Sequence, residues 1–215
     1  MSSNLKNRTY TSISLIILVI LMFKFDYILI YSLIILSVIA ILEFLNLIKK
    51  ILINKIYKIL LNFIFIFYIA IICIICVYFF SFLHLKILIF IILFGSISSD
   101  IGGYVVGKNF QGPKLTKISP KKTISGALGS VIFTNLTMVG LTFYYTSNMN
   151  YNIFVIATVT SIACQLGDLL FSFLKRKAKI KDTGKFLPGH GGVLDRLDGI
   201  LVGVPVGLIT FIKFI

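Results

Sequence analysis

The stretch ILLNFIFIFYIAIICIICVYFFSFLHL, residues 59–85, contains 27 residues and not one charged side chain. As an α-helix, at about 1.5 Å per residue, it would be roughly 40 Å long. That exceeds the hydrocarbon core of a bilayer, which is about 30 Å thick. The stretch therefore predicts either one tilted membrane-spanning helix or two short ones. Because uncharged runs recur along the chain, the sequence predicts an all-α, polytopic integral membrane protein.

The composition of the whole chain favours the same class. Of its 215 residues, 58% are hydrophobic, and the mean hydropathy is +1.03. The net charge of +14 would suit a nucleic-acid-binding protein, but the Lys and Arg residues lie between apolar runs and not along one exposed face. We therefore expect no nucleic-acid partner, and we expect the basic residues to lie in loops at a membrane surface.

Charged and polar breaks divide the chain into seven predicted spans. The first run holds 15 uncharged residues, which is short for a span. No small-residue cleavage site follows it, so we expect a retained first span and not a removed signal peptide. The predicted spans are residues 9–23, 27–48, 59–85 and 87–107, two spans within 123–167 on either side of the polar break 146–152, and a last run that reaches the C-terminus.

The loops alternate in charge, which predicts their sides. If each span crosses once, four Lys/Arg-rich segments share one side, which is then cytoplasmic. The opposite side holds only two lysines. Two helices within 59–85 would move both later basic loops outside. The basic segments are 1–8, 49–58, 108–122 and 175–196, and the opposite ones are 24–26, 84–86 and 147–151.

Composition changes abruptly at Gly95. All sixteen Gly and all four Pro lie at or after this residue. We therefore predict a scaffold of transmembrane helices at 1–94 and a catalytic transmembrane region with motif loops at 95–215. Gly199, Gly203 and Gly207 recur every four residues, which predicts a flat stripe for close packing against a neighbouring helix.

Four carboxylates are predicted near the cytoplasmic surface. Asp100 and Asp168 interrupt apolar runs, and an acid within a span usually faces a polar cavity with a partner. They lie eight residues before Lys108 and seven before Lys175, so both are about 12 Å deep in a helix. Asp195 and Asp198 are spaced i, i+3, which predicts a shared helical face with Arg196 pointing elsewhere.

Four carboxylates at one depth near the cytoplasmic surface would supply hard oxygen ligands, which suggest Mg²⁺. This ion binds through one or two carboxylates together with substrate phosphates. The alternative is that each acid pairs separately with Lys or Arg as structural support. Because Arg196 is predicted to point away from the face shared by Asp195 and Asp198, it would contact either a substrate phosphate or another acid such as Asp168.

Basic residues flank this level. Lys121, Lys122, Lys175 and Arg176 lie at the span ends nearest the acids, and they suit a phosphate-rich substrate. Binding to anionic lipid headgroups is the alternative. The turn LPGHGG, residues 187–192, lets backbone approach a phosphate closely. Its His190 is a candidate ligand, acid/base group or phosphate contact, or an ordinary turn histidine.

Together these residues resemble the CDP-diacylglycerol synthase, or phosphatidate cytidylyltransferase, family. The resemblance rests on SFLKRKAKIKDTGKFLPGHGGVLDRLDG (172–199), SDIGGY (99–104), SPKKT (119–123) and Gly167-Asp168. The long C-terminal signature is specific, whereas the shorter motifs alone are weak. Three positions depart from the family pattern: Ile101 stands for a Thr, and in Ile124-Ser125-Gly126, which stands for Trp-Glu-Gly, the first two residues differ.

The resemblance implies transfer of CMP from CTP to phosphatidate with Mg²⁺, giving CDP-diacylglycerol and pyrophosphate. It also implies a bacterial inner membrane with the active site facing the cytoplasm, and the oligomeric state is left open, with a homodimer as one alternative. The implied catalytic residues are Asp100, Lys122, Asp168, Lys175, Arg176, His190, Asp195, Arg196 and Asp198, with Asp168, Asp195 and Asp198 as the metal ligands. The implied substrate-binding residues are Ser99, Ser119, Lys121, Lys122, Thr123, Lys175, Arg176, Lys181, His190, Gly191, Gly192 and Arg196.

Two other functions remain alternatives. A CTP-dependent polyprenol or lipid kinase-like enzyme would use the same donor but release CDP. A membrane transporter would also bury acids within spans, although it would need polar residues along the full depth of the bilayer.

Overall fold

The structure is a computed structural model that describes residues 3–116, 119–120, 122–148, 150–184, 186 and 191–214, with side chains from residue 9 onwards apart from residue 12. Within these residues the chain is helical, with an isolated antiparallel β-bridge between Lys114 and Thr123 and no strand. The prediction of an all-α membrane protein is confirmed. The helices are α1 (Ser3–Lys24), α2 (Asp26–Ile51), α3 (Lys55–Phe80), α4 (Leu83–Phe110), α5 (Ile124–Thr146), α6 (Asn152–Lys177), α7 (Leu194–Leu197) and α8 (Ile200–Phe214).

Six segments of the described chain are long and apolar enough to cross a membrane, namely α2 to α6 and the segment Leu194–Phe214 that contains α7 and α8. The first predicted span is also helical, but its apolar part, Thr9–Lys24, has only 16 residues. At about 1.5 Å per residue this part is roughly 24 Å long. All seven predicted apolar segments are therefore helical, and six of them reach the length of a span.

The uncharged stretch 59–85 comprises most of α3, the turn at residues 81 and 82, and the first three residues of α4, so the predicted break 84–86 lies inside α4. Asn54 caps α3, and its side-chain oxygen accepts a hydrogen bond from the backbone N–H of Ile56 at 2.9 Å. The helix then continues to Phe80, and α4 begins at Leu83. Residues 59–85 therefore supply one span, as the alternation of the charged loops requires.

The chain divides into two compact units. Unit 1 comprises residues 1–81 and 174–196, and unit 2 comprises 82–173 and 197–215. These boundaries describe packing, so the functional division at residue 95 stays a prediction.

In unit 1, α2 packs against both α1 and α3. The rings of Phe44 and Phe65 stack with centroids 3.8 Å apart, and the Ser37 hydroxyl lies 3.0 Å from the Cys73 thiol. The outer faces of these helices remain apolar and exposed, as at Ile34 and Phe63. Such faces suit lipid, because a soluble protein rarely exposes contiguous apolar surface of this extent.

In unit 2, small residues bring α4 and α5 into close contact. A Cβ added to Gly126 would lie 2.8 Å from the carbonyl oxygen of Gly103, and one added to Gly102 would lie 2.6 Å from that of Gly129. Neither carbonyl can move aside without bending a helix. Glycine at these positions therefore lets the two backbones touch, which is a common way to pack helices in a bilayer.

Buried hydroxyl groups connect α4, α5 and α6. Ser99 lies 3.1 Å from Ser161 on α6, and the Ser130 hydroxyl donates to the Ser99 carbonyl at 2.8 Å. Thr134 on α5 donates to the Gly95 carbonyl at 3.3 Å. These bonds satisfy polar groups that lipid cannot hydrate.

The predicted glycine stripe on α8 is confirmed. A Cβ at Gly207 would lie 2.7 Å from the Thr160 hydroxyl of α6, and one at Gly203 would collide with the Cys164 thiol. Gly199 meets the Cys164 carbonyl, with a Cβ at 3.2 Å. The stripe therefore packs α8 against α6.

Candidate functional site

A cavity of about 580 Å³ lies within unit 2. This volume is typical of a small-molecule site. Its walls come from one face each of α4, α5 and α6 and from the loop before α5. The lining residues are Asp100, Gly103, Tyr104, Gly107, Lys108, Leu115, Ser119, Lys122, Thr123, Gly126, Ala127, Ser130, Gln165 and Asp168.

The loop before α5 is held in a hairpin-like shape. The Leu115 N–H donates to the Lys122 carbonyl at 2.8 Å, and the Ile124 N–H donates to the Pro113 carbonyl at 3.0 Å. Thr123 then caps α5, because its hydroxyl accepts a hydrogen bond from the Gly126 N–H at 3.1 Å. This geometry places the predicted residues Ser119, Lys122 and Thr123 on the cavity wall.

Opposite charges face the same cavity. The ammonium group of Lys122 forms an ion pair with the Asp168 carboxylate, and the two side chains remain 25% and 29% exposed. Asp100 supplies a second carboxylate and Lys108 a second ammonium group to the lining. Such partly hydrated pairs bind weakly, so a ligand phosphate can compete with Asp168 for Lys122.

Asp195 lies in unit 1 and is surrounded by donors. Lys175 donates to its Oδ1 atom at 2.8 Å. The backbone N–H groups of Thr183 and Gly192 donate to Oδ2 at 2.8 and 3.0 Å, and the Thr183 hydroxyl lies 3.0 Å from the same oxygen. This carboxylate accepts hydrogen bonds on both of its oxygens, and it thereby organises the segment around it.

The prediction that Asp195 and Asp198 share a helical face stays a prediction. Helix α7 ends at Leu197, and Asp198 lies in the turn that follows it. There its Oδ1 atom accepts a hydrogen bond from the Gly199 N–H at 2.9 Å. Asp side chains that bond to nearby backbone in this way compete with helix formation, and this bond accompanies the end of α7.

Pairing of acids with lysines, the alternative given above, is seen at Asp168 and Asp195. It does not remove Asp168 from the cavity wall, where Asp100 also lies. The structure thus places two of the four predicted acids, Asp100 on α4 and Asp168 on α6, in the lining of one cavity. Asp198 belongs to the same unit, and its carbonyl oxygen packs at the position where a Cβ on Gly167 would be.

Other predicted residues occupy different surroundings. Ser99 is buried, and its hydroxyl contacts Ser161 instead of lining the cavity. Arg176, Lys181 and Arg196 are exposed. Lys121 and His190 lie outside the described residues, so their predicted roles stay predictions.

Sequence reasoning missed several residues of the cavity wall. Gln165 donates its amide N–H to the Ala127 carbonyl at 3.3 Å, and Ser130 and Tyr104 also line the cavity. Gln165 had a detectable signal, because it is the one amide side chain of the uncharged run 153–167 and lies three residues before Asp168. Glu43 is the one charged residue of the predicted span 27–48, and nothing in its sequence neighbourhood indicates a partner.

The fit of the residues to Mg²⁺ is partial. No three His, Cys, Asp or Glu side chains gather into a metal site within the described parts of the chain. Asp100 and Asp168 do line one cavity with room for phosphates. That donor set suits Mg²⁺, which commonly uses one or two carboxylates and completes its shell with phosphate and water.

Comparison with known proteins gives a consistent family. A sequence model of the cytidylyltransferase family matches residues 2–214. A phosphatidate cytidylyltransferase of Rickettsia felis is 45% identical over 118 residues, which are 51% of this chain and 52% of the relative. One from Mycobacterium leprae is 40% identical over 115 residues, 53% of this chain and 36% of the relative. The chain thus spans about half of the first relative and about a third of the second.

Proposed function

Because this chain belongs to the cytidylyltransferase family, we propose that it transfers CMP from CTP to phosphatidate, forming CDP-diacylglycerol and pyrophosphate. The observation that carries the proposal is the 580 Å³ cavity, whose lining holds two carboxylates and two ammonium groups. Its relatives named phosphatidate cytidylyltransferase match this chain over about half of its length.

In the proposed reaction, a phosphate oxygen of phosphatidate attacks the α-phosphorus of CTP. The bond between the α-phosphorus and the bridging oxygen to the β-phosphate breaks, and pyrophosphate leaves with that electron pair. Little covalent chemistry is needed from the protein, so positioning and charge neutralisation provide most of the rate.

The residues of this chain divide that work by charge. Lys122 and Lys108 would hold CTP phosphates in the cavity. Asp168, with Asp100 beside the same space, would hold Mg²⁺, which when bound neutralises phosphate charge. When CTP binds to Lys122, this lysine would leave its ion pair with Asp168. The Asp168 carboxylate would then be free to bind the metal. Asp195 and Asp198 remain proposed ligands.

The proposed site faces the cytoplasm of a bacterial inner membrane. The basic loops that precede α5 and follow α6 favour this side, and CTP is a cytoplasmic metabolite. The cavity walls are spans with exposed apolar outer faces, such as Leu128 on α5 and Leu166 on α6, so phosphatidate would enter laterally from lipid.

Lipid product analysis tests the proposal and its nearest rival. The purified chain in lipid vesicles is given CTP, phosphatidate and Mg²⁺, and the products are identified by mass spectrometry. We expect CDP-diacylglycerol and an equal amount of pyrophosphate. A phosphorylated lipid with release of CDP would identify a lipid kinase-like enzyme, and solute flux without CTP turnover would identify a transporter.

A further inference from the structure

Glu43 is a buried carboxylate in the middle of α2, with only 7% of the residue exposed. Its Oε1 atom accepts a hydrogen bond from the Val193 N–H at 3.1 Å. Its Oε2 atom accepts from the Leu194 N–H at 2.8 Å and from the Thr183 hydroxyl at 2.9 Å. A residue of the second predicted span therefore binds the C-terminal signature segment, 150 residues further along the chain.

Two glycines make room for this carboxylate. A Cβ added to Gly184 or to Gly192 would collide with the Glu43 carboxylate oxygens. The backbone therefore comes as close to Glu43 as it can on both sides. This close approach is a second, independent sign that the segment is shaped around the carboxylate.

Thr183 connects Glu43 to Asp195. Its hydroxyl oxygen lies 2.9 Å from Glu43 Oε2 and 3.0 Å from Asp195 Oδ2. Asp195 also accepts from the backbone N–H groups of Thr183 and Gly192. The two carboxylates thus hold one short piece of chain from both sides, and we call Glu43, Thr183 and Asp195 the Thr183 clamp.

Packing alone does not account for an acid at position 43. A buried carboxylate loses hydration, and a leucine of similar size would fill the space at lower cost. What a carboxylate supplies, and a leucine does not, is acceptors for two backbone N–H groups and a hydroxyl. The Glu43 carboxylate therefore holds the backbone at Val193 and Leu194 and the side chain of Thr183.

We propose that Glu43 is a positioning residue for the CMP transfer described above, on which this inference rests. It does not touch the substrates. By holding the Val193 and Leu194 backbone and, through Thr183, the Asp195 carboxylate, it sets the geometry of the signature segment that the sequence assigns to phosphate binding. The N-terminal helices would then contribute to the reaction through the signature segment and would not serve only as a scaffold.

Hydrogen exchange tests the clamp without any assumption about the chemistry. Glu43→Gln keeps the side-chain shape but turns one acceptor into an NH₂ group, which cannot accept a backbone N–H. We expect backbone exchange at residues 192–195 to become at least about tenfold faster, with no change in α5. Asn46→Ala, at an exposed position of the same helix, is the matched control. Unchanged exchange in Glu43→Gln would overturn the clamp.

Kinetics test the positioning role. Glu43→Gln should lower kcat/KM for CTP at least about tenfold per folded molecule. Because Glu43 and Asp195 hold the same segment, a Glu43→Gln/Asp195→Asn variant should be no slower than the slower single variant. Parent-like turnover of Glu43→Gln, or effects that multiply in the double variant, would overturn the proposal.

Two precautions keep the outcome clear. If Glu43→Gln does not fold, Thr183→Val removes the bridging hydroxyl and keeps both carboxylates, and it should show the same faster exchange and slower turnover. Parent-like behaviour of Thr183→Val in either measurement would overturn the proposal. If the parent protein forms no CDP-diacylglycerol, the proposed function fails, while exchange still reports on the clamp.

Discussion

The ammonium group of Lys122 lies against the Asp168 carboxylate on a cavity wall where neither side chain is fully buried. In water such a pair contributes little to stability, about 0–1 kcal/mol. Its partners are therefore available to other ions at small cost. In the proposed function, Lys122 would bind phosphate and Asp168 would bind the metal, and the ion pair between them would break when these ligands arrive.

Lys122→Gln tests the phosphate-binding half of the pair. A hydrogen bond to a charged group contributes about 1.5–3 kcal/mol, so kcat/KM for CTP should fall roughly 10- to 150-fold. Lys55→Gln removes a lysine at the exposed start of α3 and should leave kcat/KM unchanged. Equal kinetics for both variants and the parent would return Lys122 to the alternative role of binding lipid headgroups.

Asp168→Asn tests the metal-binding half. The substitution keeps the shape but removes the charged ligand, so the Mg²⁺ concentration for half-maximal rate should rise, or turnover should stop. CTP turnover is measured against Mg²⁺ for this variant, for Asp195→Asn and Asp198→Asn, and for the exposed control Asp26→Asn. We expect the largest shift at Asp168, and a parent-like curve there would remove it from the metal site.

Single residues also show what the sequence could and could not predict. Asp100 and Asp168 were found because an acid within an apolar run needs a polar environment, and both line the cavity. Glu43 obeys the same rule, but its partners Thr183, Val193 and Leu194 are about 150 residues away. The spacing of residues near Glu43 in the sequence does not indicate contacts with a segment so far away in the chain.

At the scale of helices, close contact between α4 and α5 shapes the cavity. Both helices contribute glycines to its lining, Gly103 and Gly107 on α4 and Gly126 on α5. Their backbones touch because these residues lack side chains. The cavity walls thus depend on an interface that tolerates little added volume.

Gly129→Ala should therefore destabilise the protein. An added Cβ would collide with Val106 and lie 2.8 Å from the Gly102 carbonyl oxygen, and overpacking of this kind typically costs about 1–3 kcal/mol. Gly140→Ala on the same helix is the matched control, because a Cβ there meets nothing within 4 Å. Thermal unfolding in detergent should show a lower midpoint for Gly129→Ala alone. Equal unfolding midpoints for Gly129→Ala and Gly140→Ala would mean that the interface between α4 and α5 accommodates an added methyl group without loss of stability.

Helix boundaries were predictable where charged residues mark them. They were not predictable where a side-chain hydrogen bond accompanies the end of the helix. The charged ends of α2 and α4 lie close to the predicted breaks, and the glycine stripe of α8 packs as its spacing indicated. The end of α7 at Leu197 was missed. It coincides with an Asp198 side chain that bonds to the Gly199 N–H, and the sequence pattern alone did not indicate that choice.

At the scale of the whole molecule, the order of spans sets the sidedness of the loops. From α2 onwards the predicted alternation does not depend on whether the short apolar part of α1 crosses the membrane. The loop before α5 and the turn between α5 and α6 should then lie on opposite sides.

Cysteine labelling measures this sidedness. In a variant lacking Cys73, Cys76 and Cys164, single cysteines replace Asn148 and Lys114, which are both exposed. A membrane-impermeant maleimide added outside intact cells should label Asn148→Cys at once, and Lys114→Cys only after lysis. The reverse pattern would place the basic loop outside and contradict a cytoplasmic site.

The fate of each CTP phosphorus tests the central claim most directly. CTP labelled separately at the α- and γ-phosphorus is supplied to the reconstituted chain with phosphatidate and Mg²⁺, and label is counted in the lipid and aqueous fractions. CMP transfer predicts α-label in the lipid and γ-label in pyrophosphate, with both reduced in Lys122→Gln. The appearance of γ-label in the lipid, or of no label there, would contradict the account.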